Sequence, residues 1–473
     1  MPHSTPNEDP RLTLWLRVRE FAVPPSMIES ATARRTTGDW AAACAAAHVD
    51  VDLNLRHIAR LHGHELAAQL RTDLRHLAPD LLRWHMPRIA PNGLIRPGLT
   101  LSLARYHEGD NAVHLVARTP PAWADAGQRF SLALWDGSRA GPHPHPHPHP
   151  HRRFRLDLHR HLWDARRAGE LRTRSETAPH ARGWAVDRWP AEARLLLRAE
   201  GRDGGTVAVR VGGRRQVIVE VDASRTGNEG PAPPPVLPDA ATWVLPDLAL
   251  LRAGLIEADR LHPLVAAALV PGHSPDARPS GPGHSPDARP SGPGHSPDAR
   301  PSGPGHSPGR RPSGPGHSPD APPSGHQSEN GPRTVECRGA QHRIALVNGV
   351  LVALDHDATE IRREKLLAEL TGTPLPCLRL IEEAHRSPEC LLDVRARLEH
   401  GDAAGAQATV DGLLGPGARL PEGALRDVLE EAALRRIDHG LFRAGLGSGP
   451  GPVERPDRRS PKGRARPRHA TFR

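Results

Sequence analysis

A chain of 473 residues with 37% hydrophobic, 25% charged and only 3% aromatic residues has length for two or three domains, with a core built mainly of Leu, Val and Ala. Its net charge of +9 is carried almost wholly by arginine, since Lys365 and Lys462 are the only lysines, and +6 of it falls in residues 448–473, which leaves the remainder too weakly basic to read as a nucleic-acid-binding surface. No window approaches the roughly 18 apolar residues of a membrane helix, Glu8 and Asp9 stand where a secretory leader carries positive charge, and Cys44, Cys337, Cys377 and Cys390 form no C-x-x-C pair, so the expectation is a cytoplasmic chain with no membrane contact and with reduced, buried thiols.

In chain order, residues 1–20 read as a disordered N-terminus and 21–90 as a helical region. Ser26 with Glu29 forms a capping box, Gly38 stops that helix, and Asp39 caps the next. Leu66, Leu70, Leu74, Leu77 and Leu81 recur at helical spacing and mark one buried face. Residues 91–270 read as an α+β region with antiparallel strands over 99–104, 113–117, 130–135 and 154–158. A three-stranded meander follows over 195–198, 207–211 and 217–221, and then a helical stretch at 248–269.

Residues 271–333 hold Pro-Gly-His-Ser-Pro units whose histidines recur every 11 residues, from His273 to His317. So polar and proline-rich a segment reads as a disordered repeat linker. The last folded region, 334–447, begins with a β-hairpin turning at Asn348-Gly349. Helices follow: one capped by Asp357 with Glu360, one entered at Ser387-Pro388 and ended at Gly401, and an amphipathic one carrying Leu425, Val428, Leu429, Ala432 and Ile437. Residues 448–473 form a basic disordered tail. The fold class expected from this order is α+β.

Chemistry-bearing patterns are sparse. The run 142–151 alternates His and Pro, making His143, His145, His147, His149 and His151 weak metal-binding candidates, because alternation with proline points successive rings to different sides. Asp157-Leu158-His159-Arg160-His161 resembles the metal-binding start of amidohydrolases, which makes His159, His161 and Asp164 the weak catalytic candidates. That family's bridging lysine has no counterpart between this motif and Lys365. Gly38-Asp39-Trp40-Ala41 and Gly401-Asp402-Ala403-Ala404 resemble the second-helix entry of tetratricopeptide repeats, without a 34-residue array around them. Arg455, Arg458, Arg459, Lys462, Arg464, Arg466 and Arg468 in the tail suit nonspecific nucleic-acid contact.

Walker, dinucleotide-binding, nucleophile-elbow and H-E-x-x-H motifs are absent from the sequence, and no cofactor is implied. Across the segments Phe21 to Arg88, Pro120-Pro121-Ala122-Trp123 and His161-Leu162-Trp163-Asp164 the chain resembles an uncharacterised protein family of high-GC actinobacteria. That resemblance covers most of the folded chain and implies no activity. The expectation is a non-enzymatic scaffold or adaptor binding another protein through helical surfaces. A metal-dependent hydrolase at His159/His161 and a nucleic-acid-associated protein acting through the tail are the alternatives.

Overall fold

The Asp9 carboxylate accepts the Arg11 N–H at 2.8 Å and Pro10 occupies the first helical position, so helix α1 (Pro10–Arg17) begins inside the stretch expected to be disordered. Its end, with the π-helical turn Val18–Ala22, buries Leu14, Val18 and Ala22 in the main core, which is why these residues are ordered. The structure is a computed structural model that describes residues 9–272 and 333–446, apart from 109–110, 138–144, 146–148, 176–182, 213–214, 223–232, 338, 349, 387–389 and 416. The expectations for the linker repeats, the tail and the Ser387-Pro388 helix entry lie outside the described residues.

Helix α2 (Pro25–Thr36) starts with Pro25 at its first position and has no side-chain cap, so the Ser26–Glu29 capping box is not used. Asp39 does cap α3 (Trp40–Ala46), accepting the Ala42 N–H at 3.0 Å. After β1 (Val49–Asp52), a strand absent from the expectation for this region, helix α4 (Leu55–His76) bends at Gly63 and buries Leu66, Leu70 and Leu74. Leu77 and Leu81 are buried too, but Pro79 opens the separate helix α5 (Pro79–Trp84), so the leucine ladder runs over two helices.

A short hairpin, β2 (Arg88–Ile89) with β3 (Leu94–Ile95), leads into β4 (Thr100–Glu108), β5 (Asn111–Arg118) and β6 (Phe130–Trp135). These three are antiparallel neighbours, and β1 adds to β6 in parallel, giving the order β1-β6-β5-β4. Residues 154–158 contribute only one bridge, Ser102 to Arg155. Leu156–Leu158 then closes as a 3-10 turn in which Arg155 folds back onto Asp157, so no fourth antiparallel strand forms. Asp164 sits in an isolated bridge with Leu77, and α6 begins later (Glu170–Arg174).

The expected meander is a hairpin with a helix against it. Residues 195–198 lie in α7 (Trp189–Ala199), whose Ala193, Leu196 and Leu197 occupy one face at helical spacing and pack on β7 (Gly205–Arg210) and β8 (Gln216–Val221). A short apolar run is compatible with either element, and tertiary packing decides it. Helices α8 (Asp239–Thr242), α9 (Pro246–Arg252) and α10 (Pro263–Leu269) close this half. Asp247 of α9 is buried, takes Arg19 at 3.0 Å and accepts the Trp84 indole N–H at 2.7 Å, tying α9 to α5.

Residues 333–386 form a small unit: β9 (Arg333–Cys337), β10 (Ala340–Val347) and β11 (Val350–Ala353) in one antiparallel sheet, then α11 (Ala358–Thr371) and α12 (Pro376–Arg386). The Asn348 hairpin and the Asp357 cap are present, whereas β9 was not foreseen. Helices α13 (Leu391–His400), α14 (Ala403–Leu414) and α15 (Ala424–Arg443) have their own core of Val394, Ala406, Val410, Leu425 and Val428.

These last helices dock on the first half. Fully buried Arg83 of α5 donates to the carbonyls of Ala22 (2.8 Å), Gln128 (2.6 Å) and His400 (3.0 Å). Arg443 pairs with Asp52 (2.5 Å) and the His439 ring bonds the Ala124 carbonyl (2.9 Å). The chain is therefore α+β. No helix among the described residues is long and apolar enough to cross a membrane.

Candidate metal centre

Period-2 alternation across the small sheet puts Cys337 and His342 side by side. Cys337 pairs with Ala340 around a turn containing Gly339 (φ +82°), so Cys337, Ala340, His342 and Ile344 share one face. Ala353 of β11, paired with Ile344, lies on that face as well. Helix α12 crosses it, and Leu375 and Cys377 complete a core of only five buried residues with Cys337, Ile344 and Ala353. His356 stands in the turn between β11 and α11.

The four donors converge, and their ligand atoms all lie within 4.8 Å of one another. The two sulfurs are 3.6 Å apart, Cys377 Sγ is 3.2 Å from His356 Nε2, and His342 Nδ1 is 2.5 Å from His356 Nε2. The other ring nitrogen of His356 lies 3.1 Å from the Glu360 carboxylate, one helical turn along in α11, whose position is set by the Asp357 cap accepting the Glu360 N–H at 2.8 Å. Burial, then Cys337 beside it, pushes the Cys377 thiol up to about 11. Two thiols and two imidazoles at such separations form a donor set for one soft, tetrahedral divalent ion.

No family model matches the chain, and neither a curated protein nor a solved structure is detectably similar to it. What the site does therefore has to be argued from its own geometry.

Sequence reasoning missed these residues because it searched for closely spaced cysteines, while four, thirteen and twenty residues separate the successive donors. The available signal was Cys337 and His342 flanking a glycine turn, with His356 immediately before a capped helix. The placing of Cys337 beside His342 depends on β9, which was not foreseen.

The sequence-derived candidates are placed elsewhere and do not converge. His159 and His161 are buried with ring centroids 5.8 Å apart, yet they belong to an ion-pair network. His159 Nε2 lies 3.2 Å from Glu192, while Arg174 pairs with Glu192 and donates to His161 Nδ1 at 3.2 Å. Burial and the Arg174 charge hold His161 well below its usual pKa, so it is a neutral acceptor beside a cation. Asp164 faces a second network, taking Arg166 at 2.7 Å and Arg160 at 2.9 Å. In the His-Pro run His145 bonds the Thr119 carbonyl, His149 meets the Trp135 ring and His151 meets Phe154, each with a different neighbour. His143, His147 and the tail arginines, with Lys462, are outside the described residues.

One cleft, of about 280 Å³, lies between α1, the turn after α5, β4 and the 243–246 segment. Leu14, Trp15, Leu101 and Phe154 line it, with four arginines, Arg11, Arg88, Arg96 and Arg153, and one carboxylate, Asp239, which Arg153 already holds at 2.6 Å. Arg11 and Arg88 bond only backbone carbonyls, of Gly183 and Val244 and of Gly93 and Arg83. Burial lowers both, Arg11 to about 10.

Proposed function

We propose that the chain is a non-enzymatic scaffold or adaptor that binds another protein through the outer face of α15. The observation carrying this reading is the stripe Leu434, Ile437 and Leu441, exposed by 60%, 58% and 42%. Spacings of three and four put them on one helical face, opposite the face on which Leu425, Val428 and Ala432 are buried. A helix presenting anchors at i, i+3 and i+7 suits a partner's apolar groove. The docking contacts of His439 and Arg443 hold this helix rigidly, which lowers the ordering cost of association. The rings of His159 and His161 face Glu192 and Arg174, which favours a bracing role over hydrolysis. The test places a photo-crosslinking residue at Ile437 in the native host and titrates the captured protein against purified chain. Binding should weaken at least about tenfold in a Leu434→Asp/Leu441→Asp variant, as for loss of central anchors. Unchanged binding, or capture that purified components do not reproduce, would remove the reading.

The cleft favours a second reading, binding of an amphipathic anion with an apolar body and a carboxylate head. Guanidiniums whose hydrogen bonds go to carbonyls at an apolar wall would gain a direct counter-charge from such a ligand. Quenching of Trp15 by octanoate should occur at concentrations about tenfold lower than by octylamine, and Leu101→Trp, which fills the cleft, should abolish it. Equal response to both amphiphiles would overturn this reading.

A further inference from the structure

We propose that Cys337 Sγ, His342 Nδ1, His356 Nε2 and Cys377 Sγ bind one structural zinc ion, and that this ion closes the fold of residues 333–386.

Geometry is the first support. Four ligands at zinc's usual bond lengths stand about 3.3 to 3.8 Å apart along the edges of a tetrahedron. The Cys–Cys and Cys377–His356 edges, 3.6 and 3.2 Å, match this, and the His–His edge of 2.5 Å has to open by less than about 1 Å to match it. A disulfide would explain the two sulfurs, but it needs them near 2.05 Å and gives no reason for two ring nitrogens to face the same point.

Second, His356 has the outer partner a zinc-bound imidazole requires. Its far nitrogen lies against Glu360, which sets the tautomer that leaves Nε2 free for the metal. Third, the charges balance. Zinc binding releases two thiol protons, and the resulting dithiolate with a dication is neutral, so it can lie where three of the four donors are buried. Four protein donors saturate the ion, leaving no position for water or substrate, as in structural rather than catalytic centres.

Fourth, the unit needs a staple. Five buried side chains are a small core for three strands and two helices, and α11 buries no residue, with Leu366, Leu367 and Leu370 exposed. Small units of this kind are stabilised by metals or disulfides.

The inference does not depend on the scaffold reading, and either can fail alone. The full chain should be made without an affinity tag, supplied with zinc, kept reduced, and compared with a variant in which His143, His145, His147, His149 and His151 are alanine, so that the His-Pro run contributes no metal. After dialysis against a weak chelator both should keep about one zinc per chain. Cobalt exchange should give a tetrahedral spectrum with a thiolate charge-transfer band. Cys377→Ser should lower retained zinc at least about tenfold, while Cys44→Ser and Cys390→Ser leave it unchanged. Because Cys377→Ser risks misfolding, Cys377→His, which restores a donor, is expected to recover zinc with a weaker charge-transfer band. Stripping zinc with a strong chelator should speed amide exchange in 333–386 and not in β4–β6. Retention below about a tenth of an equivalent in the supplied wild type, wild-type retention in Cys377→Ser, or an intact mass showing a Cys337–Cys377 disulfide in the protein as isolated would each overturn the proposal.

Discussion

Gly127 and Gly401 meet backbone to backbone, so closely that a Cβ on Gly127 would stand 2.7 Å from the Gly401 Cα. Both have positive φ, +64° and +89°, so an alanine at either is penalised twice, by conformation and by contact. Gly127→Ala is expected to cost about 1–3 kcal/mol. Hydrogen exchange should rise in 394–443 while the β4–β5 ladder keeps its protection. Uniform loosening would show that the contact does not govern docking.

Arg83 offers a second handle on the same junction. Lysine cannot present the fork that reaches the Ala22, Gln128 and His400 carbonyls together. Arg83→Lys should therefore leave buried acceptors unmet and lower unfolding free energy by about 2–3 kcal/mol, read by denaturant titration. A change under about 0.5 kcal/mol, the size typical of surface sites, would contradict this.

Glu192 makes stability pH-dependent. Burial alone would raise its carboxyl, but His159 and Arg174 outweigh burial and hold it at about 2. A folded-state value below the unfolded one gives stability that is full above about 4.5 and is lost as pH falls towards 2. The difference in melting temperature between wild type and Glu192→Gln should shrink across that window. A constant difference would mean the carboxylate is not coupled to folding.

The double variant His159→Ala/His161→Ala separates bracing from metal chemistry. It should lower stability by about 1–3 kcal/mol through lost partners for Glu192 and Arg174. Its zinc content should remain that of the wild type, and loss of bound metal would reinstate the hydrolase alternative.

Local signals were legible in the sequence and long-range ones were not. Asp39, Asp357 and Asp402 cap helices as short sequence patterns suggest, because capping involves residues two or three apart. Strands β4, β5 and β6 follow their short apolar runs for the same reason. The parallel pairing of Val49 with Phe130 has no local signature, and the apolar run at 195–198 suits either element until β7 and β8 are in place. The cysteine–histidine set was hardest, since its members come together only after a hairpin, a turn and a crossing helix have formed.

Every contact that joins α13–α15 to the first half, from Arg83 with His400 to Arg443 with Asp52, links a residue before 273 to one after 332. The expectation is that these contacts hold the two halves together when the polypeptide between them is cut. Two separately translated pieces, 1–272 and 333–473, should complement each other in the same cell and elute as one species, and a proteolytic nick between them should leave the two halves associated.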